Sequence, residues 1–143
     1  MREIKFRAWE LDTANIIIGS YIKEDGFYME NGKPICGKPC IRYFIQDEDN
    51  IKHEIAEDTL GQYTGLKDKN GIEIYEGDVV SLVDCEPSMY KIVWWENNFK
   101  YGVEYIGSDK TNWREENLEE FSSELIEVIG NIYENPELLE VEK

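Results

Sequence analysis

A mainly β protein, a small antiparallel barrel or sandwich with one or two short helices, is the fold class this sequence predicts. Three observations predict it. Apolar residues recur with a period of two rather than 3.6. The extended segments are short and closely spaced, with Gly, Asn and Asp between them at positions that suit turns. Aromatics make up 13 % of the 143 residues, which together with abundant Ile argues against disorder in a chain that is 32 % charged.

The first strand is Ile4-Lys5-Phe6-Arg7-Ala8-Trp9, where Ile4, Phe6 and Ala8 share one face and Lys5, Arg7 and Trp9 the other. A second β segment runs over residues 16–22 and meets a turn signal at Glu24-Asp25-Gly26. Phe27-Tyr28-Met29 leads into Asn31-Gly32, a dipeptide suited to a tight hairpin because both residues tolerate positive φ. Residues 41–45 are rich in β formers and end in the polar loop 46–50. Over residues 51–60 a short helix would place Ile51 and Ile55 on one side. A charged loop ending in Asn70-Gly71 precedes the alternation Ile72-Glu73-Ile74, the far arm of a second hairpin. Glu76-Gly77-Asp78 predicts a tight turn, and residues 79–83, 90–95 and 99–106 predict three further strands. In the last of them Tyr101, Val103 and Tyr105 share a face. Asn112 with Glu115 three residues on resembles a capping box and predicts a short helix over 112–120. A strand over 125–133 follows, then a turn at Asn135-Pro136-Glu137 with Pro136 suited to a first helical position. The softest boundary, residues 47–60, divides an amino-terminal β region over 1–60 from a region over 61–143, the alternative being one continuous domain.

Charge constrains the partners. Fifteen basic against thirty-one acidic residues leave a net charge of −16, which repels phosphate backbones, so no direct nucleic-acid binding is expected. From residue 115 to the end there are ten Glu and one Lys, a solvated acidic face or a surface that docks on a basic partner. No apolar run approaches the ~20 residues a membrane span needs, and the first residues lack a signal-peptide core. The expectation is a cytoplasmic protein with no membrane partner.

Chemistry-bearing patterns are few. Cys36, Cys40, Cys85 and His53 would make up a tetrahedral zinc set, but their spacing supplies no second close pair, so no metal is expected and the thiols are read as free. His53, the only histidine, reads as a surface residue without a nucleophile beside it. No Gly-rich phosphate loop occurs. No catalytic residue and no cofactor are therefore expected. The tandem Trp94-Trp95 places one indole on each face of a strand. Both are buried only if both faces are covered; otherwise one waits for a partner. Gly65, Gly71 and Gly77, six residues apart, suit the corners of a small barrel, with Asp68 and Asp78 capping the turns. Tyr63, Tyr75, Glu76 and Asp78 either serve those turns or form a binding lip; with Trp94 and Trp95 they make up the candidate binding surface.

Three segments together resemble the YopX family of phage and prophage proteins: MREIKFRAW over 1–9, QYTGLKDKNGIEIYEGDVV over 62–80 and VIGNIYENPELL over 128–139. The resemblance implies an all-β fold whose carboxy-terminal half is an SH3-like barrel, a phage or prophage origin and with it the cytoplasm of a bacterial host, and no catalytic or metal-binding residues. The functional expectation is a non-enzymatic protein-interaction or self-assembly module, engaging an unknown protein partner or its own copies. The alternatives are an acidic nucleic-acid mimic that blocks a basic host factor and, further off, a metal-assisted hydrolase.

Overall fold

A computed structural model describes residues 3–83, 89–107 and 116–140. Its elements are strands and single 3-10 turns, as the period-two pattern requires. The chain divides into two compact units, Ile4–Gly61 and a second made of Met1–Glu3 with Gln62–Lys143. No helix among the described residues is long and apolar enough to cross a membrane.

The amino-terminal unit holds β1 (Phe6–Trp9), β2 (Ile16–Glu30), β3 (Lys33–Gln46) and β4 (Lys52–Glu54), antiparallel neighbours in the order β4-β3-β2-β1. The predicted Asn-Gly turn is there: Asn31 and Gly32 take φ of 52° and 75°, and Glu30 pairs with Lys33 across it. Two expectations change. The turn signal at Glu24-Asp25-Gly26 does not end β2, which runs through it. Gly26 pairs with Cys40, and the Arg42 side chain lies where a Gly26 side chain would stand, with Cδ 2.7 Å from an added Cβ. The helix over 51–60 is absent. β4 pairs with β3 there and a 3-10 turn, Glu57–Thr59, follows, because Ile55 must reach the core and Glu54 must reach Arg42. This unit's core is Ala8, Ile45 and Ile55, with Phe6, Ile17, Tyr21, Tyr43 and Leu60 packed around it.

β2 and β3 outrun their neighbours. β1 pairs with β2 only as far as Gly19, and β4 pairs with β3 only at Phe44–Gln46. Beyond those points the hairpin is a two-stranded arm.

The carboxy-terminal unit begins with the hairpin β5 (Gly61–Lys67) and β6 (Glu73–Tyr75). A five-stranded antiparallel sheet follows: β7 (Asp78–Leu82), β8 (Met89–Trp95), β9 (Lys100–Tyr105), β10 (Glu116–Asn117) and β11 (Ile126–Asn131), in the order β10-β9-β8-β7-β11. β7-β8-β9 is a meander, and the last strand returns to pair with the first. The sheet keeps β10 and β11 as edges, so its described strands do not close the expected barrel ring. Ile74, Val80, Leu82, Ile92, Tyr101, Val103, Leu118 and Ile126 form one buried core. Gly71 and Gly77 take φ of 79° and 86° at the turns after β5 and β6, as expected of corners, whereas Gly65, at 89°, lies within β5 where its register with β6 shifts.

The helix over 112–120 is corrected where it can be seen. Residues 112–115 lie outside the described residues. Glu116 and Asn117 pair with Val103 and Gly102, and Leu118–Glu120 is a 3-10 turn that drops Leu118 into the core. The strand over 125–133 is present as β11, and Pro136 opens a 3-10 turn, Pro136–Leu139.

Candidate functional site

The tandem tryptophans sit at the end of β8, just before the turn to β9. Trp95 lies over Gly102, where an added Cβ would collide with the indole, so the glycine is the seat of that ring. Trp94 faces the other way, on the side of Ile92, and pairs directly across the ladder with Tyr101. Their rings meet edge to face with centroids 4.9 Å apart at 66°. Trp94 keeps 36 % of its surface exposed. The two indoles thus lie on opposite faces of β8, Trp95 half-buried and Trp94 partly open.

Trp94, Phe99, Tyr101, Leu66 and Leu118 wall an open groove of about 220 Å³ at this end of the core, with Thr64, Lys100 and Glu119 also lining it. Phe99 is its most unusual member. The turn closes with the Asn98 amide donating to the Trp95 carbonyl at 3.2 Å, which leaves Phe99 as the next residue at φ 52°. That left-handed position favours Gly or Asn; a Phe there costs about 1–2 kcal/mol. Its ring is nonetheless 81 % exposed and gains little from the core in return. The charged residues lining the groove are Lys100 and Glu119, one of each sign. The groove thus offers mainly aromatic and aliphatic faces, and aromatic faces attract cations and apolar side chains.

The tyrosine-and-acid residues lie elsewhere in the unit and are mostly interior. Tyr63 and Tyr75 oppose each other across β5 and β6 with ring centroids 5.4 Å apart, and are 5 % and 2 % exposed. Asp78 is buried and its carboxylate accepts the Tyr75 amide at 2.8 Å. These three side chains hold the β6–β7 turn together and offer a partner little surface. Glu76 is half-buried, and burial pushes its carboxyl above the usual range against a backbone hydrogen bond at Gln62. The structure brings Trp94 to the groove, puts Trp95 on the opposite face and keeps the tyrosine cluster inside. Phe99, Tyr101 and Leu118 were missed by sequence reasoning. The signal for Phe99 was present: it ends a four-residue connection, where hairpins commonly place a left-handed residue.

His53 is not the plain surface residue expected. Its Nδ1 lies 2.6 Å from Glu10 Oε1 and its Nε2 2.9 Å from Asp47 Oδ2, with the imidazole 18 % exposed. Thr13 donates to Glu10, and the amides of Asp49 and Ile51 donate to Asp47, so both carboxylates are held ready. Hydrogen bonds to Asp47 and Glu10 raise the histidine above its usual range; those from Thr13 and His53 lower Glu10, and those from His53 and Ile51 lower Asp47. A neutral imidazole has one N–H and leaves one carboxylate facing a lone pair. The clamp's stabilisation is therefore complete below the unfolded histidine pKa of ~6.5 and is lost as pH rises through the higher folded value. On the acid side it is present above the unfolded carboxylate values of ~4 and is lost as pH falls through the lowered ones. Melting temperatures of the wild type and His53→Asn should differ most near pH 5–6 and converge above neutrality. A constant difference across pH would contradict the clamp. The single histidine makes the imidazole titration readable by NMR.

Cys40 is a free, half-buried thiol, while the Cys36 side chain and Cys85 lie outside the described residues. Among the described residues no group of three or more His, Cys, Asp or Glu is placed to hold a metal ion.

The family model described as YopX protein matches residues 5–140 of the chain. Among solved structures, the protein EF1440 from Enterococcus faecalis is similar at 25 % identity with a TM-score of 0.51, the match covering 98 % of this chain and 100 % of that one. No curated protein matches the chain in sequence.

Proposed function

The chain belongs to the YopX family, and on that premise we propose that it is a phage- or prophage-encoded, non-enzymatic interaction module that seats a basic segment of a partner protein in the host cytoplasm. The observation that carries the reading is Phe99, an exposed aromatic ring held in the left-handed region at the edge of an aromatic groove. Local strain at an exposed site, without core burial to offset it, is a mark of residues kept for binding. Trp and its aromatic neighbours are also the side chains that dominate interface energetics. The partner's chemistry follows from charge. Aromatic faces favour Arg or Lys flanked by apolar residues, and the net charge of −16 on the chain as a whole speeds the approach of a cationic partner.

The test is a fluorescence titration of the full chain with a short synthetic peptide alternating Arg and Leu, against a Glu-Leu peptide and a duplex oligonucleotide. The Arg-Leu peptide should bind and perturb tryptophan emission; the other two should not. Trp94→Ala should weaken binding by at least about tenfold, the loss of one mid-sized contact. Phe99→Asn should weaken it similarly while leaving the melting temperature unchanged or raised, because Asn tolerates the left-handed backbone. Equal binding by the wild type and Trp94→Ala would reject the groove. Steeply salt-dependent binding that survives both substitutions would favour the acidic-mimic reading instead.

A further inference from the structure

We infer that the β2–β3 arm is a self-association element, one face of which packs on the same face of a second copy about a two-fold axis. From the Lys23–Tyr43 pair outward, past the last contact with β4, the arm is a two-stranded ribbon, and such ribbons are at best marginally stable alone in water. Its two faces are finished differently. On one, Arg42 makes a two-pronged ion pair with Glu54 at 2.9 and 2.6 Å, lies over Gly26 and caps the Phe44 ring at 5.1 Å. Lys52 pairs with Glu24 and also lies over Phe44 on that face. The chain's own side chains cover this side.

The other face carries Tyr21, Lys23, Asp25 and Phe27 from β2 and Ile45, Tyr43 and Ile41 from β3, by strand alternation and pairing register. It is an apolar stripe that starts in the core at Ile45 and emerges through the stacked Tyr21 and Tyr43 rings. It ends on Ile41 and Phe27, which are 47 % and 52 % exposed. The pattern is self-complementary. A two-fold axis level with the Glu24–Arg42 pair, lying between two such faces and across the strands, sets Lys23 of each copy against Asp25 of the other. The same operation sets Tyr43 against Ile41 and Tyr21 against Phe27. This reciprocity is what an isologous contact demands. The arm is also where two copies can approach without repulsion. Ile16–Gln46 holds four basic residues against three acidic ones, a net +1 in a chain of −16. The face from Tyr21 to Phe27 is roughly 20 by 10 Å, about 200 Å² per copy. That falls short of the ~800 Å² per partner of a standard interface, so the dimer is concentration-dependent rather than permanent.

The inference is independent of the aromatic groove, and Trp94→Ala should leave the dimer unchanged. Sedimentation equilibrium of the full chain between roughly 10 μM and 1 mM tests it. The wild type should pass from monomer to dimer across that range. Lys23→Asp and Asp25→Lys should each weaken the dimer at least about tenfold, since each places like charges in contact. An equimolar mixture of the two should restore it, because both opposite-charge contacts re-form between unlike copies. Phe27→Ser, at an exposed position, should also weaken the dimer while the melting temperature holds. A wild type that stays monomeric, a dimer indifferent to these substitutions, or a mixture that fails to recover would each overturn the proposal.

Discussion

Asp68→Ala should lower the unfolding free energy by about 3 kcal/mol in a denaturant titration, one of the two largest single-residue effects expected in this chain. The Asp68 side chain is 4 % exposed and its carboxylate is the acceptor for three backbone amides. Oδ1 accepts from Asn70 at 2.8 Å and Ile72 at 2.9 Å, which shapes the β5–β6 turn. Oδ2 accepts from Val128 at 2.9 Å and so ties that turn to β11 sixty residues away. Alanine leaves these donors without their charged acceptor. Asn should cost less, since its amide oxygen serves one side while its NH2 group meets the Val128 amide. A loss under about 1 kcal/mol for Asp68→Ala would mean that water replaces the carboxylate freely. Acid should reproduce the effect. Burial pushes this carboxyl up, but the three amide donors outweigh it and hold the pKa below the usual range. Its stabilisation is thus present above the unfolded value of ~4 and disappears as pH falls through the lowered folded value.

Leu118→Ala should cost about 3 kcal/mol, within the 2–5 kcal/mol range for a buried Leu. Leu118 is 1 % exposed, belongs to the core of the carboxy-terminal unit and also forms the floor of the aromatic groove. Truncation leaves a void continuous with that groove, so water can enter and the cost should lie towards the low end. Thermal or chemical denaturation reads the stability loss. A change within about 0.5 kcal/mol would show that the 3-10 turn does not anchor there.

What could be read from the sequence and what could not divide along the range of the interactions. Asn31-Gly32 and Gly77 were legible because a left-handed turn is a local demand that few residues meet. Strand alternation in β7, β8 and β9 was legible because one face is buried on a single core. The short helices over 51–60 and 112–120 were misread for the opposite reason. Their local patterns permit a helical turn, but pairing of Glu54 with Phe44 and of Glu116 with Val103 fixes the backbone as strand. Gly26 looked like a turn residue, yet its role is to make room for Arg42 sixteen positions later. The His53 clamp draws on Glu10 forty-three residues away, a partner no local pattern announces. The candidate site was half legible. Trp94 and Trp95 stood out by alternation, and the structure places Trp94 at an open groove and Trp95 on the other face of the strand. Tyr63, Tyr75 and Asp78 stood out by residue type, but their side chains face inward, where a large ring with a polar tip serves a turn equally well. Phe99 escaped notice because its importance lies in a backbone angle.

The central claim is that the aromatic groove, rather than the acidic surface at large, is where a partner binds. Site-resolved NMR of the full chain, titrated with the Arg-Leu peptide at physiological ionic strength, tests it most directly. The account predicts shifts concentrated on the Trp94 indole, the Phe99 and Tyr101 rings and Leu118, persisting when salt is raised. Shifts spread over the glutamates of residues 124–140 and fading with salt, with Trp94 and Phe99 unmoved, would contradict it.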